Sequence, residues 1–365
     1  MKVLHIDTEK GWRGGQQQAV YLYQTMLKQG YDTLFVTPPG SGLHDYLTEN
    51  RLPVYPIPYW GEWDLIHGLT LARLARKRDY RILHLHSGHA LAWGLWAKLF
   101  YPPLKLIAVR RVDFSIRKHP FSFIKYRNPL VNSVVAISEN IRQVLLSDGI
   151  SAEKIVTIHS GIDLKKYSDS ETPANFREKW SIPENSIIVG TISAFVGHKD
   201  YPTLLKAAAR VIENSEKIYF LAVGEGRLLT DMKKLARDLK ITSRFIFTGF
   251  QREVGQFLKS FDIFVISSKK EGLGTSVLDA QAAGLPVIGT AAGGIPEMIE
   301  NGINGMLVEP QNPVKLASAI LDLADNPQRC LNMGSKAKES VERFSIDNTV
   351  ARNLSLYQEL EDGEV

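Results

Sequence analysis

Residues 267–284 read SSKKEGLGTSVLDAQAAG, and they gather side chains suited to chemistry. The apolar run 263–266 before them predicts a strand, and the spacing predicts a helix that starts near Thr275. Gly272, Leu273 and Gly274 make the turn between the two. Such a turn leaves backbone N–H groups and the positive end of a helix dipole at a sheet edge, a setting that suits phosphate. Glu271, just ahead of the turn, can accept hydrogen bonds from sugar hydroxyls. Asp279, about two turns further on, can reach ribose hydroxyls. A plain helix start carrying solvated acids fits the same residues.

Several other groups invite the same question. Lys199 stands where a helix is expected to begin, and a positive charge there opposes the helix dipole, so a purely structural lysine gains nothing from that place. Gly14 and Gly15 close a glycine-rich turn at 11–15, where a missing Cβ lets backbone approach a ligand; an ordinary turn fits equally. Neither that turn nor GEGRLL at 224–229 has the G-x-G-x-x-G spacing of a dinucleotide site. His84, His86 and His89 read H-x-H-x-x-H. No second ligand set lies nearby, and His84 and His86 alternate with apolar neighbours as one face of a strand does, so no metal site is assigned. Without a D-x-D motif no obligatory metal, and no other cofactor, is expected. Finally, 105–127 holds Arg110, Arg111, Arg117, Lys118, Lys125 and Arg127 against the single acid Asp113, with Phe114, Phe121, Phe123 and Tyr126 interleaved. That mixture suits an anionic membrane surface or a phosphorylated acceptor, and equally a solvated basic loop. Nucleic acid has no supporting motif.

The elements that must position these residues alternate. Strands are expected at 3–7, 33–36, 82–86, 106–109, 134–137 and about 155–163, with amphipathic helices between them. A polar stretch from Ser168 to Pro173 reads as a linker, after which the pattern restarts with strands at 187–192, 219–223, 245–248, 263–266 and 287–290. The fold class is α/β, with two Rossmann-like, doubly wound parallel-sheet domains facing a central cleft. Their expected limits are 1–167 and 177–343, and a last helix at 344–365, marked by Val350, Leu354 and Tyr357, is expected to cross back to the first domain.

Bulk properties agree. A chain of 365 residues suits two domains, and 44% apolar with 23% charged residues is ordinary for globular proteins. A net charge of +5 favours acidic partners such as nucleotides or anionic lipids. The single cysteine, Cys330, cannot form an internal disulfide. The amino-terminal apolar run stops at Asp7, and the run at 90–97 stops at Lys98, far below the roughly 20 residues a membrane helix needs. The expected location is the cytoplasm, with or without peripheral attachment to the inner face of the plasma membrane.

In its motifs the chain resembles the retaining GT-B glycosyltransferases of family 4. Their signature is E-G-x-G/P-x-x-x-x-E-A; this chain has Glu271-Gly272-Leu273-Gly274 and then Asp279-Ala280, with Asp in place of the second Glu. Ala283-Gly284-Leu285-Pro286, Gly293-Gly294-Ile295-Pro296-Glu297, Asn301-Gly302-Ile303-Asn304-Gly305 and Ser160-Gly161-Ile162-Asp163 are similar to the family as well. The resemblance implies a donor site of Gly14, Gly15, Lys199, Gly249, Phe250, Glu271, Gly272, Leu273, Gly274, Thr275 and Asp279. Lys199 would neutralise the donor diphosphate, Phe250 would pack near the base, and Glu271, Lys199 and His89 would be the catalytic set. The family's diphosphate-binding Arg is Ala194 here, and its acceptor-side His is replaced by Arg110-Arg111-Val112-Asp113. Arg110, Arg111, Arg117 and Lys118 are therefore placed on the acceptor or membrane side.

The implied activity is transfer of a sugar from a nucleotide-sugar donor to a glycan or lipid-linked acceptor, with retention of configuration, in cell-envelope polysaccharide or lipopolysaccharide assembly. Two other readings use the same features: a nucleotide-sugar 2-epimerase of GT-B architecture, and an inactive nucleotide-sugar-binding protein, which the missing Arg at Ala194 favours.

Overall fold

Short β-branched runs such as LHI, LFV and IAV carry almost no polar interruptions, the composition of strands covered on both faces. They form two all-parallel sheets. The computed structural model describes residues 1–61, 64–168, 173 and 175–363, and the chain divides into two units. Unit 1 holds Met1–Gly161 together with the helix Ile346–Asp362; unit 2 is Ile162–Ser345. The stretch read as a linker lies, at 169–172, outside the described residues.

Unit 1 has seven strands: β1 Lys2–Ile6, β2 Asp32–Thr37, β3 Val54–Pro56, β4 Ile82–Leu85, β5 Lys105–Arg110, β6 Ser133–Ala136 and β7 Ile155–Thr157, in the order β3-β2-β1-β4-β5-β6-β7. Unit 2 has six: β8 Ile187–Ile192, β9 Ile218–Val223, β10 Phe245–Gly249, β11 Ile263–Ile266, β12 Val287–Thr290 and β13 Gly305–Val308, in the order β10-β9-β8-β11-β12-β13. Strand order reverses between β1 and β4 and between β8 and β11. In open α/β sheets, ligands bind beyond the carboxyl ends of the strands at such a switch.

The unit 2 core packs Phe220, Val265 and Ile288 of the sheet against Leu204, Leu205, Leu316 and Ile320. At the centre, Gly190 of β8 is obligatory, because a Cβ there would lie 2.0 Å from the Phe261 ring. In unit 1 the carboxyl-terminal helix Ile346–Asp362 buries Val350, Leu356, Tyr357 and Leu360. It is fixed by Thr349 Oγ1 donating to the His159 carbonyl at 2.9 Å, and by a hydrogen bond between the Tyr357 hydroxyl and His84 Nδ1. Among the described residues no helix is long and apolar enough to cross a membrane.

Candidate active site

In unit 2 the loop after β11 is built around Glu271. Lys199, at the end of the short turn Gly197–Lys199 beyond β8, forms an ion pair with Glu271 Oε2, and Ser268 Oγ donates to the same oxygen at 3.0 Å. The two loops are stitched together: Ser267 Oγ donates to the Lys199 carbonyl at 3.0 Å, and Lys269 N donates to the His198 carbonyl at 2.9 Å. The main chain of Glu271 is clasped from the other side. Gly294 N donates to its carbonyl at 3.1 Å, and Gly293, at φ +56°, lies so close that a Cβ would sit 1.8 Å from that oxygen. Only glycine fits there. The pair is largely withdrawn from solvent, with side-chain exposures of 15% for Lys199 and 11% for Glu271, so its charges are screened less than on an open surface.

Gly274, at φ +93°, turns the chain into the helix Thr275–Ala282. That helix has no side-chain cap and no acid in its first turn, so its leading N–H groups are open to an incoming anion. Gly272, Leu273 and Thr275 surround this point as the spacing predicts. The loop therefore offers one cation, one carboxylate and a helix N-terminus. Ala194, an exposed residue after β8, contributes only a methyl group. Gly249 ends β10 at φ +74°, and Phe250 beside it is 62% exposed, free to stack on a flat ligand.

Asp279 is half-buried, and desolvation raises its pKa to about 6 against the hydrogen bond from Tyr167 and the charge of Lys166. Its folded value lies above its ordinary 3.8, so the folded protein binds this proton more tightly. The resulting cost is absent below the ordinary value, grows as the pH rises to about 6, and is complete above it. At neutral pH it amounts to at most about 3 kcal/mol. Asp279→Asn is therefore expected to raise the melting temperature of unit 2 by a few degrees at pH 7.5. An unchanged or lower midpoint in thermal unfolding would show that the carboxylate is not strained there.

In unit 1 several expectations need correction. Gly14 and Gly15 do not lie in a turn: they open the helix Gly14–Lys28, whose N-cap is Arg13. Arg111 is not a surface group. Its side chain runs inward against Gly15, with Nη1 donating to Ser160 Oγ at 3.3 Å and Nη2 to His86 Nδ1 at 3.4 Å. Arg110 folds back onto the Phe114 carbonyl and lies 5.6 Å over the Tyr126 ring. Lys125 is buried, donating to the Gly88 carbonyl at 2.8 Å. A long basic side chain can cover its stem against the protein while its head finds acceptors, and each of the three does so. Arg117 remains exposed and meets Asp148 at 3.7 Å. Lys118, Phe121 and Ile124 are also exposed.

The histidines regroup too. His89, at the start of the helix Gly88–Phe100, is half exposed and faces Glu9, with Nδ1 3.6 Å from Oε1. Its place beside His84 and His86 is taken by His5, because β1 and β4 pair in the register His5↔His84. All three are buried, and their ligand atoms lie within 4.8 Å of one another. Their rings are nearly parallel, with His84 and His86 stacked at 4.4 Å and 15°. The cluster is a packed, neutral one.

The fold of two parallel-sheet units and the Glu271 loop fit the glycosyltransferase class that the motifs resemble, and comparison with known proteins shows the family. Residues 12–166 match Glycosyltransferase Family 4, and residues 173–340 match Glycosyl transferases group 1. The lipopolysaccharide core biosynthesis glycosyltransferase LpsE of Rhizobium meliloti (strain 1021) is 34% identical, over 90% of this chain and 91% of its own length. N-acetyl-alpha-D-glucosaminyl L-malate synthase of Bacillus anthracis is 26% identical over 93% and 92%. Among solved structures, Anabaena HepE in complex with UDP and glucose has a TM-score of 0.87 at 20% identity, covering 98% of this chain and 99% of that one. The chain belongs to the family 4, group 1 glycosyltransferases and has their GT-B fold.

Proposed function

We propose that this glycosyltransferase takes its sugar from a nucleotide-sugar donor and passes it, with retention of configuration, to a glycan or lipid-linked acceptor of the cell envelope. The observation that carries the reading is the Lys199–Glu271 pair beside the open helix N-terminus at Thr275. The relatives' names support it: one acts in lipopolysaccharide core biosynthesis, and HepE was solved with UDP and with UDP-glucose. The bond from the anomeric carbon to the β-phosphate oxygen breaks, and its electron pair stays on the phosphate. Lys199 and the N–H groups of the Thr275–Ala282 helix stabilise that charge as it develops. Glu271 holds the sugar's hydroxyls, and the acceptor oxygen bonds to the anomeric carbon from the face the phosphate leaves, its hydroxyl proton passing to the departing β-phosphate oxygen. The donor's ribose is assigned to Asp279 and its base to Phe250.

The test is nucleotide release from a panel of UDP-, GDP- and ADP-sugars, with and without cell-envelope glycolipids. Acceptor-dependent release supports transfer, while a changed sugar without release, or binding without turnover, would replace it with another activity. The cation at the diphosphate is a lysine, so activity is expected to survive EDTA. Complete loss restored by magnesium or manganese would refute that assignment.

A further inference from the structure

Lys98, Lys105 and Lys154 of unit 1 converge on the stretch 129–132 that leads into β6. The strands β5, β6 and β7 are neighbours in the sheet; Lys105 is the first residue of β5, and Lys154 directly precedes β7. Lys98 arrives from the last turn of the helix Gly88–Phe100. Its Nζ donates to the Leu130 carbonyl at 2.9 Å and to Asn132 Oδ1 at 2.6 Å. Leu106 N, one residue from Lys105, donates to the same Asn132 oxygen at 3.0 Å. Lys154 Nζ donates to the Val131 carbonyl at 3.0 Å and to that of Pro129 at 3.5 Å. All three lysines are half-buried.

Every acceptor in this cluster is neutral. Among the described residues none of the three lysines forms an ion pair with a carboxylate. Glu153, the acid next to Lys154 in the chain, accepts from Ser151 Oγ at 2.9 Å. Other cations along this edge of the sheet are matched: Lys2 meets Asp32 at 3.1 Å, and Arg81 meets Asp79 at 3.5 Å. The crowding shows in Lys98, whose pKa falls to about 8 through desolvation first and then through the charges of Lys105 and Lys154, with no anion acting the other way. Carbonyls fix where the ammonium groups lie without cancelling their charge. An ammonium has three N–H donors, so Lys98 and Lys154, with two acceptors each, both keep one to offer.

We propose that Lys98, Lys105 and Lys154 form a binding site for a phosphoryl oxyanion at the amino ends of β5, β6 and β7. Open α/β sheets take their substrates at the carboxyl ends of the strands, so this site is separate from the reaction and independent of the nucleotide-sugar reading. The oxyanion belongs either to a soluble polyphosphate or to a phospholipid headgroup. Leu99 and Phe100, which follow Lys98 in the chain, are exposed and give the second source an apolar contact.

The test uses the full chain carrying Lys199→Ala, so that unit 2 contributes no lysine, at physiological ionic strength, where separated surface charges are screened. Tripolyphosphate binding is measured by calorimetry. Adding Lys98→Gln, Lys105→Gln and Lys154→Gln is expected to weaken it about a hundredfold, each cation beside an anionic group counting for roughly fivefold. Glutamine keeps an N–H for the loop carbonyls, and the circular dichroism spectrum should be retained. Arg76→Gln, Lys77→Gln and Arg78→Gln, which remove equal charge from the end of the helix Leu65–Arg78, should leave the affinity nearly unchanged. In the unsubstituted protein, tripolyphosphate should slow acetylation of the three lysines by acetic anhydride, read by mass spectrometry, and not that of Lys77. Flotation with phosphatidylcholine vesicles containing phosphatidylglycerol separates the sources. Flotation lost in the lysine variant and also in Leu99→Ser with Phe100→Ser assigns the oxyanion to lipid. Tripolyphosphate binding without flotation assigns it to a soluble anion. No tripolyphosphate binding, equal affinity with and without the three lysines, an equal loss in the Arg76–Arg78 control, or unprotected lysines overturns the proposal.

Discussion

Glu271→Gln is expected to lower turnover about ten- to a hundredfold, the effect of losing one charge-assisted hydrogen bond of about 1.5–3 kcal/mol. Glutamine is the informative choice because the side chain is enclosed. Lys199 and Ser268 both address Oε2, and Gly293 and Gly294 hold the main chain behind it. Glutamine keeps the shape and the serine contact and removes the charge. Glu271→Ala also strands Lys199 in a place with little water, so its midpoint should fall by several degrees where that of the glutamine variant barely moves. Steady-state kinetics with matched thermal melts separate the two effects. A glutamine variant with the wild-type rate would remove Glu271 from the mechanism.

Acid is expected to unfold unit 1 well before ordinary carboxylates account for it. His5, His84 and His86 are buried, and desolvation lowers all three pKa values, that of His5 to about 3. Among the described residues the groups that touch them are Tyr23 from the first helix, Phe35 of β2, Tyr357 from the last helix and the cation Arg111, and the acid Asp7 acts on Arg111. A folded value below the unfolded one means that the unfolded chain takes up protons the folded one refuses. Stability is therefore intact above about pH 6.5 and is lost as the pH falls toward the folded values. Each histidine contributes about 1.4 kcal/mol per pH unit, so three lose about 6 kcal/mol by pH 5, within reach of a typical total of 5–15 kcal/mol. Urea midpoints at pH 7.5 and 5.5 measure the slope, and His84→Phe should remove about a third of it. A slope unchanged by that substitution would mean that the histidines do not govern the transition.

How much of this was legible depends on whether the information is local. The β-branched runs, the helix start at Thr275 and the acid before it could all be read, because strand composition and a glycine turn act over a few residues. So could the same-face placement of His84 and His86, which follows from a period of two. That His5 joins them could not, since it depends on the register between β1 and β4. Arg111 was legible as a charge but not as a half-buried one: RRVDF looks like a solvated run until β5 fixes which arginine turns inward. Gly293 showed its type and hid its reason, because the Glu271 carbonyl that excludes a Cβ is 22 positions away in the chain. Gly14 and Gly15 misled, since glycine signals a turn and a helix start alike.

The return of the last helix to unit 1 has a consequence for the newborn chain. Tyr357 caps the histidine face of the first sheet, and a ribosome makes it after all of unit 2. At about 5–20 residues per second the first sheet waits on the order of tens of seconds with that face uncovered, while unit 2 has everything it needs to fold. The part of the molecule made first is thus the part completed last, and a chain stalled or clipped near residue 345 would present to chaperones and proteases a finished second unit joined to an unroofed first one.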